Sequence, residues 1–176
     1  MKLSGLTTIQ KNDLFNTLSV SITHHSSAIE GISLTFGETK RLLEFGMTAE
    51  SKPLHEQLVV IGFASAFDFI IREASNTGSS LNAELVKVVH AILFDKALSV
   101  SPERIERPIG SWRQDDRYIK GVDINLSSPK NIDQDLNNLL YRYDRELNLN
   151  DIADFHIAFE LIHPFADGNG RVGRLL

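Results

Sequence analysis

Between residues 8 and 29 apolar side chains return at Leu14, Leu18 and Ile22, with Phe15 alongside, a spacing that gathers them on one helical face. The period runs on into the polar stretch THHSSAIEG, and Gly31 marks its end. Thr35 precedes Glu38 by three residues, so each side chain can satisfy a free N–H of a first turn, and a second helix is expected from there to Gly46. A third runs from Pro53 to about Ser75. Leu58, Val59, Ile61, Phe63, Phe67, Ile70 and Ile71 cover much of its circumference, which predicts a place at the centre of a bundle.

After the turn signal Asn76-Thr77-Gly78-Ser79, a fourth helix is expected over roughly Leu81 to Lys96, followed by a loop punctuated by Pro102 and Pro108. Trp112, Tyr118, Ile119, Val122 and Ile124 then stand among glycines and charges, a pattern that suggests a short β-hairpin between about Ser111 and Asn125. Beyond Pro129, Leu136, Leu139, Leu140, Tyr143 and Leu147 keep one helical face. Asn150 can cap a last long helix with Ile152, Phe155, Phe159 and Ile162 as its stripe. The pattern predicts one compact all-α domain with a single hairpin insertion, and no repeat, linker or low-complexity tract interrupts it.

The composition changes little in that picture. A chain of 176 residues, 42% hydrophobic and 23% charged, has material for one sizeable core. The net charge of −5 speaks against nucleic acid or an anionic membrane as partner, since phosphate-backbone binding draws on a clustered positive field. With no cysteine there is no disulfide scaffold, thiolate zinc site or cysteine nucleophile, which suits a cytoplasmic protein. MKLSGLTTIQKNDLF holds no unbroken apolar run, and no later stretch reads as the roughly 20 apolar residues of a membrane span.

The chemistry gathers in HPFADGNGRVGR, residues 163–174. Pro164 cannot continue the preceding helix, so His163 sits where it stops, free to face a cleft. Gly168 and Gly170 flank Asn169 and tolerate the positive φ and close approach of an anion nest. A helix starting there adds unpaired N–H groups, and Arg171 and Arg174, three apart, are expected on its one face. Asp167 is an oxygen ligand of the kind Mg²⁺ shares with substrate phosphates. A base, a metal ligand and a polyphosphate cradle thus fall within twelve residues.

This segment resembles the signature of the Fic (filamentation induced by cAMP) domain, H-x-F-x-[D/E]-G-N-G-R-x-x-R, at every specified position. HIAFELIHPF is similar to the family's helix leading into the motif, and GSWRQDDRYIKGVDI to its flap, the hairpin that holds a target segment. The resemblance implies a Fic-type helical bundle with residues 1–34 as an N-terminal inhibitory helix region and 35–176 as catalytic core of the same domain. It also implies transfer of AMP from ATP to a protein hydroxyl. His163 would be the general base and Asp167 the Mg²⁺ ligand; Gly168, Asn169 and Gly170 would grip phosphates that Arg171 and Arg174 neutralise. Gly110, Trp112, Arg113 and Tyr118 would belong to the target flap. Ser26-Ser27-Ala28-Ile29-Glu30-Gly31 resembles the family's inhibitory motif [S/T]-x-x-x-E-[G/N], in which Glu30 would pair with Arg174 and Ser26 shares its face. The implied partners are ATP and a hydroxyl-bearing target protein, with self-modification, removal of AMP by Glu30 and a homo-oligomer left open.

Each residue also has a plainer reading. A lone histidine is more often structural, Gly-Asn-Gly is usually a turn, two arginines can be a solvated face, and a glutamate before glycine is often just a helix end. The full motif turns His163 to catalysis and the glycines and arginines to phosphate binding, and the second motif turns Glu30 to inhibition. His156, Glu160 and His163 share a face, yet a metal site there is disfavoured, because the helix ends and no further ligand is evident. His156 and Glu160 read as packing residues around the site, and His24 and His25 as surface residues. A helix C-terminus favours imidazolium, so the surroundings must hold His163 neutral. A catalytically silent nucleotide-binding or toxin–antitoxin interaction module, and a Fic enzyme with another phosphate-containing donor, are the competing functions. The chain stops two residues after Arg174, inside the helix the motif opens, from which a truncated core is expected.

Overall fold

A computed structural model describes residues 5–76, 78, 80–118 and 124–176. The chain folds as α1 (Thr8–Ile29), α2 (Phe36–Phe45), α3 (Leu54–Ser75), α4 (Ala83–Val100), α5 (Ile132–Arg142), α6 (Leu149–Ile162) and the short α7 (Asn169–Gly173), with single 3-10 turns at Pro102–Arg104 and Pro129–Asn131. The Thr35–Glu38 capping box forms as expected, and Gly46 closes α2 in the left-handed region at φ 67°. A second box, Thr7 with Gln10, opens α1.

α3 and α4 make the centre. Val59, Phe63, Ala66 and Phe67 meet Val86, Val89, Leu93 and Phe94 in one core, which α5 extends with Ile132, Leu136 and Leu139 and α6 with Phe155, Phe159 and Ile162. Gly62 lets the central pair approach, because a Cβ there would run into the Leu93 carbonyl and stand 3.1 Å from the Ile92 oxygen. By length and mean hydropathy, 1.5, α3 is apolar enough to cross a membrane, against the expectation that no stretch comes near a span. Its apolar face is spent inside the bundle.

Four boundaries differ from the pattern. α4 begins at Ala83 because the Asn82 side chain accepts from the Leu85 N–H, and it continues past Lys96 to Val100. α6 is capped by Asn148, not Asn150, since only Asn148 has an acid three residues on, Asp151, to complete the box. α5 stops at Arg142, leaving Tyr143 as its C-cap. Of the expected hairpin, residues 119–123 lie outside the described residues; among the described residues, 111–118 and 124–128 contain no strand.

Candidate active site

α6 delivers the histidine. Its stripe Phe155, Phe159 and Ile162 is locked in the core, so the end of the helix is fixed in space. His163 closes it at φ 49°, ψ 60°, the left-handed region that a non-glycine residue enters at a cost of about 1 kcal/mol or more. Its N–H still donates to the Phe159 carbonyl at 3.0 Å. Its own carbonyl accepts from Arg113 Nε at 2.6 Å. The same guanidinium donates to the carbonyls of Asp115 and Ser127, both at 2.5 Å, and of Ile162 at 3.4 Å, while the Arg113 N–H donates to Pro164 at 2.9 Å.

Arg113 is only 1% exposed. Within the expected flap segment, Arg113 is a buried strut under the histidine, its guanidinium held by main-chain oxygens. Burial pulls its pKa down, with Asp115 and Asp116 opposing. Gly110 and Trp112 also turn inward. The Gly110 N–H donates to His90 Nδ1 at 2.9 Å, and Trp112 Nε1 donates to Asp133 at 3.0 Å while its ring leans on Phe165. Of the four expected flap residues, Tyr118 is the exposed one, at 84%.

The loop after His163 is organised by Asn169. Its amide accepts from the Phe165 N–H at 2.8 Å and donates to the Phe165 carbonyl at 2.9 Å, so this buried side chain staples the loop. Gly168 takes φ 81° and packs against Phe94; Gly170, expected to share that freedom, is helical. The first-turn N–H groups of α7 have no acceptor within the helix, so the main chain at 169–171 carries unpaired donors there. Arg171 and Arg174 do not share a face. Arg171 is buried over the Phe94 ring and donates to both Asp167 oxygens, at 2.9 and 3.0 Å. Arg174 turns the other way, donating to Ser26 Oγ at 2.8 Å and to Glu30 at 2.5 Å.

These groups line a cleft of about 450 Å³ bounded by Glu30, His156, Glu160, His163, residues 166–170 and Arg174. Burial lowers the His163 pKa, opposed by the Glu160 carbonyl and assisted by Arg113 and Arg117. Burial thus favours the neutral imidazole despite its seat at a helix C-terminus. Burial raises Glu160. Buried atoms of His156, Glu160 and His163 have no hydrogen-bond partner, yet among the described residues no group of three or more His, Asp or Glu could hold a metal ion. Asp167, its side chain 41% exposed, offers the single carboxylate that a phosphate-shared Mg²⁺ requires. His24, expected on the surface, is partly buried beside Thr39.

One residue went unread in the sequence. His90, fully buried on α4, bridges Gly110 and the Asp167 carbonyl, 3.0 Å from its Nε2, and stacks on Phe165 at 3.8 Å. Burial lowers its pKa to about 4. The signal was a histidine set among Val86, Val89, Leu93 and Phe94 on a core-facing stripe.

Residues 80–176 match the Fic/DOC family. Protein adenylyltransferase fic-1 of Caenorhabditis elegans is 30% identical over 161 residues, covering 87% of this chain and 30% of that protein. Protein adenylyltransferase Fic of Drosophila melanogaster is 29% identical over 167 residues, again with 87% of this chain and 30% of the relative covered. The chain therefore spans under a third of these relatives. Among solved structures, a Fic domain containing signaling protein from Bacteroides thetaiotaomicron superposes with a TM-score of 0.82 at 22% identity, covering 98% of this chain and 66% of that one. A fragment of Fic-1 from C. elegans gives 0.76 at 25% identity, covering 97% and 49%.

Proposed function

The chain belongs to the Fic/DOC family, and from that premise we propose that it is a protein adenylyltransferase that moves AMP from ATP to a Ser, Thr or Tyr hydroxyl and is held low by its own Glu30. The names of its relatives support nucleotidyl transfer. The observation that carries the reading is His163, at the end of α6, on a cleft shared with Asp167 and the N-terminal turn of α7. In the reaction the target hydroxyl oxygen bonds to the α-phosphorus, the bond from that phosphorus to the bridging β-oxygen breaks, and pyrophosphate leaves. The hydroxyl proton passes to the His163 ring. Main-chain N–H groups at 169–171 face the phosphates, while Arg171 holds the Asp167 carboxylate by both oxygens. Asp167 would hold Mg²⁺, which when bound neutralises phosphate charge.

Glu30 supports the inhibitory half of the reading. It engages Arg174, the cleft's cation without an acidic neighbour in its own loop, in a charge-assisted hydrogen bond with Ser26 alongside. A γ-phosphate has to displace that carboxylate to reach the guanidinium.

The test compares label transfer from α-³²P-ATP and γ-³²P-ATP with Mg²⁺ by the unaltered protein, Glu30→Gly and Glu30→Gly/His163→Ala, with self-modification as readout. Label from the α position alone, raised by Glu30→Gly and lost with His163→Ala, is expected. Silence in all three would favour a nucleotide-binding module or another donor.

A further inference from the structure

One face of α4 carries both halves of the site. Gly110, at φ 66°, rests on it so closely that a Cβ would stand 3.2 Å from Ala91 Cβ. Gly168, at φ 81°, rests about one turn further along, where a Cβ would stand 2.6 Å from Phe94 Cε2. His90 lies between these two left-handed turns. Its Nδ1 accepts from the Gly110 N–H at 2.9 Å, and its Nε2 is 3.0 Å from the Asp167 carbonyl. A donor facing one nitrogen and an acceptor facing the other fix the tautomer, with the ring proton on Nε2. Parallel stacking on Phe165 and the edge of Phe94, at 5.2 Å between centroids, fix the ring plane. A leucine would fill the space, but would leave a main-chain donor and a main-chain acceptor unpaired at the two turns that shape the cleft.

We propose that His90 is a positioning residue: its Nε2–H tautomer locks the Asp167 carbonyl to the Gly110 N–H, so that the phosphate-facing loop and the segment running through Trp112 and Arg113 keep one fixed spacing. The kinetic half of this inference rests on the adenylyltransferase reading; the structural half rests on the two hydrogen bonds alone. The bridge couples the two sides without touching substrate. The phosphate-facing loop and the segment through Trp112 and Arg113 are then registered through one ring.

Asparagine and glutamine separate the two bonds, because their amide atoms lie one and two bonds beyond Cγ, as Nδ1 and Nε2 do. His90→Asn and His90→Gln are compared in the Glu30→Gly chain by amide exchange at Gly110 and Gly168, by calorimetric binding of ATP with Mg²⁺, and by self-labelling rate. Asn should leave Gly110 protected, speed exchange at Gly168, and weaken ATP binding about fivefold, the worth of one net hydrogen bond. Gln should leave ATP binding intact, speed Gly110 exchange about fivefold, and slow self-labelling. Equal changes in both variants, tracking a common loss of melting temperature, would overturn the proposal, as would no change at Gly110 in either. If the Glu30→Gly chain neither binds ATP nor transfers label, the transferase reading fails. The bridge then stands or falls on exchange, with Gly110 faster in Gln only and Gly168 faster in Asn only.

Discussion

Replacing Arg113 with methionine keeps an apolar stem and removes the guanidinium that serves four carbonyls. Each buried acceptor left unmet costs about 1–3 kcal/mol, and the Ile162 and His163 oxygens lie where the end of α6 is packed. Against this, removing a buried cation with no carboxylate hydrogen-bonded to it returns part of a desolvation cost of several kcal/mol. The balance should be a loss of about 3 kcal/mol, the low end for breaking a buried charged network. With a urea slope of about 2 kcal/mol per M, the unfolding midpoint falls by about 1.5 M. Arg113→Lys keeps the charge but not the planar fork, and should fall between. In conditions where both variants remain folded, label transfer should drop further than stability does, because the His163 carbonyl is freed and the left-handed backbone can relax. A midpoint shift below about 0.5 M for methionine, or a lysine variant indistinguishable from arginine, would refute the argument.

The acid limb of label transfer by Glu30→Gly should lie below pH 6.5, because burial depresses the His163 pKa; a limb at or above that value would contradict a neutral buried base. His90, lowered to about 4, binds fewer protons folded than unfolded, so its contribution is present above pH 6.5 and is lost as pH falls toward 4. At about 1.4 kcal/mol per unit that is about 3 kcal/mol, and His90→Gln should flatten the urea midpoint against pH across this window; parallel slopes would refute it. Gly62→Ala should cost about 1–3 kcal/mol by forcing α3 off the Leu93 carbonyl, a fall of roughly 3–10 °C in melting temperature, and an unchanged melting curve would show that the pair can slide apart freely. Glu30→Gln should release less activity than Glu30→Gly, since an amide can still accept from Arg174 without the charge; a Gln variant more active than Gly would sink the pairing account.

What the sequence carried was local. Capping boxes, the apolar stripes of α3 and α6, and a proline after a histidine are read within a few residues, and the structure places them close to where they were expected. Arg113 could not be read that way. Trp-Arg among polar and acidic residues looks like surface, and the carbonyls that bury the guanidinium come from Ile162 and His163, about fifty positions away. Arg171 and Arg174 illustrate a second limit. Helical spacing put them on one face, but α7 is a single short turn, and tertiary partners decide instead: Asp167 and Phe94 claim one arginine, Ser26 and Glu30 the other. The Glu30–Arg174 pair was legible only because a motif marked both ends.

The helix that carries Glu30 is also unusual in how it is held. The buried residues of α1 are Val20, Thr23, Ser26 and Ser27, one apolar and three hydroxyl-bearing, with Leu18 and Ile22 only partly covered. The hydroxyls of Thr23 and Ser27 are buried without partners, so part of this interface pays a desolvation cost and gains little apolar burial. By contrast α3 buries Val59, Val60, Phe63, Ala64, Ala66 and Phe67. At about 25 cal/mol per Å² of apolar area, a seam of small polar side chains is far cheaper to open than a core helix. Under the inhibitory reading that asymmetry is what the mechanism needs. A helix whose glutamate must give up Arg174 to a phosphate cannot be anchored as firmly as the elements that position His163. The bonds from Arg174 to Ser26 and Glu30 then become a large share of what seats the end of α1 on the cleft, so a nucleotide that takes Arg174 also loosens the helix that blocked it.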